Sequence, residues 1–472
     1  MQKNTGTNDN KENMGYVIFL STVAALGGFL FGYDTAVISG TIKGVSTQFQ
    51  MDDLQTGWYV GCALVGSIVG VLIAGKLSDR FGRKPVLFIS AVLFASSSAG
   101  CAFSFSVQEL IAYRLIGGIG IGTASIISPL YISEISVARY RGRLVTLYQL
   151  AITIGIVSSY FVNSLVLKYS MSATSDLYWL QTIFINESWR GMLGMETLPA
   201  LLFFIILFFI PESPRWQVIN HKESDACTVM NRLFGMQTAK EQIVEIKELL
   251  RTEIKSDWKL LLQQGFRKVL FVGISLAILG QFMGVNAVLY YGPVFFEEAG
   301  LAQSNSLDFQ IIVGLVNVFS TILSLWLIDR IGRKKLVYYG VSGMIATLTA
   351  IGFYFLLNEK STNFPPELLL GLIMAYMFFC ASSVCTVIFV LLSEMYPVRV
   401  RGAAMSIAGF SLWIGTYLIG QLTPWLLTNL ASQGIFWLFG IMCIPYLLIT
   451  WKLLPETTGR SLEEIEQMLQ QQ

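Results

Sequence analysis

The chain has 472 residues, 54% of them hydrophobic and 13% charged, about half the charged share of roughly 25% usual in soluble proteins. Its formal net charge of +2 is a poor guide to partners and no basic nucleic-acid patch stands out, while a single histidine, His221, leaves no histidine-based metal or catalytic cluster to build. The composition describes a membrane protein, and with no metal set, nucleophile and base pair or phosphate loop in the sequence it is not expected to be an enzyme or to carry catalytic residues, a metal or a cofactor.

A short polar tail, 1–15, opens the chain without the three-part form of a cleavable signal peptide. Apolar runs of the roughly 20 residues that cross a bilayer core follow near 16–40, 57–78, 85–105, 108–133, 144–166 and 189–211. A polar stretch, 212–266, interrupts them. Six more runs lie near 268–296, 307–328, 335–357, 366–393, 402–428 and 434–454, before a second tail at 455–472. The expected fold is all-α: twelve transmembrane helices in two pseudo-symmetric six-helix bundles, 16–211 and 267–454, joined by a cytoplasmic helical linker at 212–266. Within that linker Ile243, Ile246, Leu250 and Ile254 recur at helical spacing among charges. It reads equally as a latch between the halves or as an amphipathic tether.

The halves repeat each other. Asp79-Arg80-Phe81-Gly82-Arg83-Lys84 answers Asp329-Arg330-Ile331-Gly332-Arg333-Lys334 at a shift of 250. Ser133-Glu134 with Arg139, Arg141 and Gly142 answers Ser393-Glu394 with Arg399, Arg401 and Gly402 at a shift of 260. Pro211-Glu212-Ser213 answers Pro455-Glu456-Thr457 at 244. Such a parallel duplication places a solute site between two similar halves. The short loops on one side hold Arg80, Arg83 and Lys84, then Arg139, Arg141 and Arg143, then Arg330, Arg333, Lys334 and Lys335, then Arg399 and Arg401, whereas the loops on the other side hold Lys43, Lys168 and Lys360, with Arg190 at a boundary. By the positive-inside rule both termini are cytoplasmic, in a multi-pass protein of the plasma membrane, which in a bacterium is the inner membrane.

Charges inside the hydrocarbon region cost at least roughly 2.5 kcal/mol each at a helix centre, so Asp34 in the first span, Arg114 in the fourth and Glu196 in the sixth need a use. An isolated Asp would be neutral there, and a neighbouring Arg would hold it ionised. A carboxylate between those pulls suits proton binding; a purely structural pair is the other reading. Gln149, Gln281, Asn286 and Asn317 place amides on apolar spans, and Phe31, Tyr290, Phe389 and Trp413 place aromatics beside them. Amides both donate and accept hydrogen bonds, while each aromatic alone reads first as packing. At the basic loops, Asp79, Arg83, Glu134, Arg139 and Arg141, and their counterparts Asp329, Arg333, Glu394, Arg399 and Arg401, form either a cytoplasmic gate of ion pairs or topology signals alone. The six cysteines, Cys62, Cys101, Cys227, Cys380, Cys385 and Cys443, read as small core residues.

The Asp79–Lys84 motif, Pro211-Glu212-Ser213-Pro214-Arg215-Trp216, Gln281-Phe282-Met283-Gly284-Val285-Asn286 and Pro455-Glu456-Thr457-Thr458-Gly459 resemble, in order and spacing, the sugar porter family of the major facilitator superfamily. The resemblance covers about residues 19–465. It implies two bundles rocking about a central cavity and proton-coupled symport of a monosaccharide by alternating access. The alternatives are a facilitative sugar uniporter and a symporter of a cyclitol or other polyol. The implied partners are a small sugar or polyol, protons and the lipid bilayer, with no nucleic acid and a monomeric state. It implies further that Asp34 and Arg114 couple the proton, with Glu196 as a further acid, and that Gln149, Gln281, Asn286 and Trp413 touch the sugar. Facilitative members carry Asn in place of Asp34. This chain also departs from the pattern: Gly280 stands where a first glutamine is usual, Leu412 and Ile156 replace amides, and Cys385-Thr386 and Phe389 replace a Gly-Pro pair and a Trp. A less polar pocket is expected, and the break in the tenth span loses its sequence signal.

Overall fold

The structure is a computed structural model that describes residues 13–136, 138–173, 177–252, 264–360, 364–396 and 401–454. Among them every regular element is a helix. The first half contains α1 (Met14–Gln48), α2 (Asp53–Phe81), α3 (Arg83–Phe103), α4 (Val107–Ile135) and α5 (Ala138–Ser172). Its sixth span is assembled from pieces: α6 (Tyr178–Leu180) and a π-helical turn, Gln181–Asn186, lead into α7 (Ser188–Gly194) and α8 (Thr197–Ile206). Side chains start the helices as their sequences dictate. Asp52 and Gln55 close a capping box on α2, and Ser106 accepts from the Glu109 amide on α4. In lipid, helices associate through small residues that let backbones touch. Accordingly, a Cβ at Gly118 or Gly122 of α4 would lie 2.0 Å from the carbonyl oxygens of Ala63 and Ser67 on α2.

The linker folds as α9 (Pro214–Ile219), α10 (Glu223–Phe234) and α11 (Met236–Thr252). Met230, Leu233, Phe234 and Ala239 bury in the core of the first half, and Ile243 and Ile246 pack at its edge. The Asn13 amide donates to the Leu233 carbonyl at 2.9 Å. The described part of the linker therefore docks on the N-terminal half; Ile254 and the side chain of Leu250 lie outside the described residues.

The second half contains α12 (Gln264–Phe282), α13 (Val285–Glu298), α14 (Gln303–Ile331), α15 (Arg333–Glu359), α16 (Pro366–Ser382), α17 (Val384–Met395) and α18 (Arg401–Leu453). At 53 residues α18 has twice the length a span requires, and it breaks at Ala431 (φ 54, ψ 172). Beyond the break Ser432 donates to Glu298 at one end of the molecule, and at the other Lys334 donates to the carbonyls of Trp451 (3.0 Å) and Leu454 (2.6 Å). The 11 apolar stretches long enough to cross a membrane thus supply the twelve crossings of two six-helix bundles.

Two further breaks shape this half. Gly284 (φ 91) separates α12 from α13, and the Phe439 ring fills the place of a side chain there, 2.2 Å from an added Cβ. Ser383 (φ −124, ψ −84) separates α16 from α17 although neither Gly nor Pro marks the spot. The break is held by hydroxyls instead: Ser383 donates to Phe379 O (2.5 Å), Thr386 to Ala381 O (2.9 Å) and Ser324 to Ser382 O (2.9 Å). A carbonyl without its helical partner inside a membrane must find another donor. Pro293 deprives the Leu289 carbonyl of its partner, and the Tyr160 hydroxyl (2.8 Å) and Gln310 (3.3 Å) replace it. Pro424 frees the Gly420 carbonyl in the same way, and the Tyr291 hydroxyl takes it at 2.6 Å.

Candidate solute and proton sites and the two ends

Asp34 on α1 and Arg114 on α4 form an ion pair with side chains only 3% and 4% exposed. Glu196, at the join of α7 and α8, is buried and within electrostatic reach of both. Its Oε1 and the neighbouring Tyr33 hydroxyl have no hydrogen-bond partner among the described residues. The structure therefore gathers the three charges noted in the sequence into one buried group.

The amides gather around the α12–α13 break. Asn286 donates to Gln281 Oε1 at 2.7 Å, and Thr416 on α18 donates to the same oxygen at 3.1 Å. Sequence reasoning missed Thr416. A threonine in a helix ordinarily bonds its own preceding turn, and Thr416 does that too, donating to Leu412 O at 2.9 Å. Phe31 and Trp413 bring their rings to 5.7 Å from opposite halves, and Trp413 packs on both cores. Tyr290 is buried, Asn317 is buried on α14, and Gln149 is half-buried on α5. At Gly280 a Cβ would meet only Val384 (3.6 Å) and Tyr446 (3.7 Å), ordinary contacts.

At the end that carries the repeated basic motifs, Arg83 grips Glu134 with two hydrogen bonds (3.0 and 2.9 Å) and reaches Asp79 at 3.3 Å. Ser213 also donates to Glu134 at 2.5 Å. Glu212 accepts from the amides of Arg83 (2.9 Å), Lys84 (3.2 Å) and Ser213 (2.7 Å), while burial pushes its carboxyl above the usual range. Trp216 donates to the Asp79 carbonyl at 2.9 Å. Arg139 and Arg141 are exposed, Arg139 lying over Tyr140, so Asp79 is paired with Arg83 and not with them. In the second half Arg333 pairs with Glu394 at 3.3 Å. Arg399 lies outside the described residues, as do the side chains of Asp329, Phe389 and Arg401.

The opposite end holds contacts that sequence reading did not anticipate. Lys43 on α1 meets Glu297 on α13 at 2.5 Å. Lys168 and Ser164 on α5 meet Asp308 on α14 at 2.8 and 2.6 Å. Gln421 on α18 donates to the Leu54 carbonyl on α2 at 2.9 Å. Each contact joins the two halves.

The profile of the family described as "Sugar (and other) transporter" matches residues 20–469. The chain belongs to that family. Among curated members it is similar to the arabinose-proton symporter of Bacillus subtilis (strain 168), 38% identical over 97% of this chain and 96% of the relative. It is also similar to the D-xylose-proton symporter of Escherichia coli (strain K12), 36% identical over 96% of each. Among solved structures it resembles the inward-open xylose transporter XylE from E. coli, with TM-score 0.82 and 35% identity over 96% of this chain and 100% of that one. XylE bound to 6-bromo-6-deoxy-D-glucose superposes with TM-score 0.76 at 35% identity, covering 97% and 100%. This sugar transporter thus has the major facilitator fold.

Proposed function

We propose that this transporter carries a monosaccharide together with a proton, by alternating access, as a monomer in a bacterial inner membrane. The basic end faces the cytoplasm, both termini lie there, and the halves 16–211 and 267–454 rock about a solute held between them. The observation that carries the reading is the buried Asp34–Arg114 pair. Losing one charge of such a pair costs about 3–5 kcal/mol, so a proton delivered to Asp34, which neutralises the carboxylate and leaves the guanidinium without its partner, changes the balance between conformations. Protonation thereby loosens α1 from α4 without leaving an ionised acid in the membrane. Gln281, Asn286 and Thr416 offer donors and acceptors to hydroxyls, and Phe31 and Trp413 offer faces to the C–H side of a ring. Gln149, Asn317, Tyr290 and Phe389 complete the proposed solute site, and Glu196 the proton site. With Gly280, Leu412 and Ile156 lacking amides, a cyclitol or other polyol with fewer inward hydroxyls is the second reading.

The test is uptake of labelled pentoses, hexoses and polyols into proteoliposomes, with and without an imposed proton gradient. Uphill accumulation should require the gradient, and Asp34→Asn should abolish it while leaving exchange measurable, since the amide mimics the neutral acid and cannot titrate. Uptake indifferent to the gradient would make the protein a uniporter.

A further inference from the structure

In an unbroken α-helix, side chains five residues apart point about 140° apart around the axis and do not meet. Cys380 and Cys385 do meet, with their sulfurs 3.6 Å apart. They meet because the backbone leaves the helix at Ser383, between α16 and α17. Cys380 is buried and Cys385 is half-buried. No other pair of thiols is in contact among the described residues. The break thus creates a dithiol with one accessible member.

We propose that Cys380 and Cys385 form a modification site that a hydroperoxide-class oxidant closes to a disulfide, pinning α16 to α17. Cys385, once its proton has left, attacks one oxygen of R–O–O–H; the S–O bond forms as the O–O bond breaks, and the departing alkoxide takes up a proton as R–OH. Cys380 then yields its proton and attacks the sulfenic sulfur, forming the S–S bond and releasing water. In sum two thiols and one hydroperoxide give a disulfide, an alcohol and water, with two electrons passing from sulfur to oxygen. The bridge would fix the angle of the break. On one side of it, Tyr376 donates to the Met283 carbonyl at the α12–α13 break (2.8 Å); on the other, Glu394 pairs with Arg333 at the basic end (3.3 Å). Freezing the break therefore couples the solute site rigidly to the basic end.

The test treats the purified full-length protein with tert-butyl hydroperoxide. Mass spectrometry without reduction should show the peptide bearing both cysteines lighter by two hydrogens and protected from alkylation, with dithiothreitol reversing both. In proteoliposomes, uptake should fall in proportion to the cross-linked fraction and recover on reduction. Cys380→Ser and Cys385→Ser should transport normally and ignore the oxidant. The mass readout needs no solute, so it stands or falls apart from the transport reading. Thiols that remain alkylatable, or oxidise only to separate sulfinic acids, overturn the site. A full cross-link with unchanged uptake overturns the pinning.

Discussion

The two ends of this transporter are tied in opposite ways. At the basic end the ion pairs among the described residues, Arg83 with Glu134 and Asp79, and Arg333 with Glu394, each stay within one half. At the other end Lys43–Glu297 and Lys168–Asp308 cross between halves. The two crossing ties differ sharply in burial from Arg83–Glu134. Arg83 and Glu134 are 6% and 3% exposed, whereas Lys43 and Lys168 are 56% and 52% exposed. Exposed pairs contribute about 0–1 kcal/mol each, while breaking a buried pair costs about 3–5 kcal/mol. The most buried of these ties, Arg83–Glu134, therefore lies within one half, and the exposed ones join the two halves.

The contrast is broken most directly at Arg83. Arg83→Ala leaves Glu134 buried and unpaired, so the purified protein should lose about 3–5 kcal/mol of stability, read as a large fall in its melting temperature. Arg83→Lys should recover only part of it, because an ammonium cannot reproduce the two-pronged grip. An unchanged melt for Arg83→Ala would remove the distinction between the ends.

Tyr160→Phe sharpens the comparison from the middle. It removes a hydroxyl that crosses from α5 to the Leu289 carbonyl, worth about 0.5–1.5 kcal/mol, while Gln310 keeps that carbonyl partnered. The population open at the end opposite the basic motifs should rise by about 2- to 12-fold. Labelling of Val60→Cys, a buried position beside Gly420 of the other half, should rise with it. The smallest effect belongs to the exposed ties. Lys43→Ala or Lys168→Ala should raise the same labelling by at most about fivefold, and high salt should mimic either change in the parent. A melt lowered as far as that of Arg83→Ala would place these lysines in the rigid framework instead.

The spans were legible because crossing a bilayer imposes length and hydropathy on consecutive residues. The Asp34–Arg114 pair was legible too, since a charge in an apolar span stands out without any knowledge of its partner. Lys43 and Glu297 offered no such contrast: both sit at span ends, where charges are ordinarily solvated. The pairing of Asp79 was obscured for another reason. Arg83 lies only four residues away in the same motif, just past the break at Gly82, closer in sequence than the Arg139 and Arg141 of the facing loop. The break at Ser383 was hidden because hydroxyls, common on any membrane helix, stabilise it in place of Gly and Pro.

Gly284 has a consequence for what the solute does once bound. It puts a joint between Gln281 and Asn286, so the two amides ride on separate helix pieces whose direct hydrogen bond now holds them together. A solute bound as proposed, with a hydroxyl at each amide, would replace that bond and act as a splint across the joint. Its size would then set the angle at which α13 leaves α12, and α13 carries Glu297, the partner of Lys43. In the proposed site the joint would work as a caliper, converting the spacing of a solute's hydroxyls into the position of a helix end at the far side of the membrane.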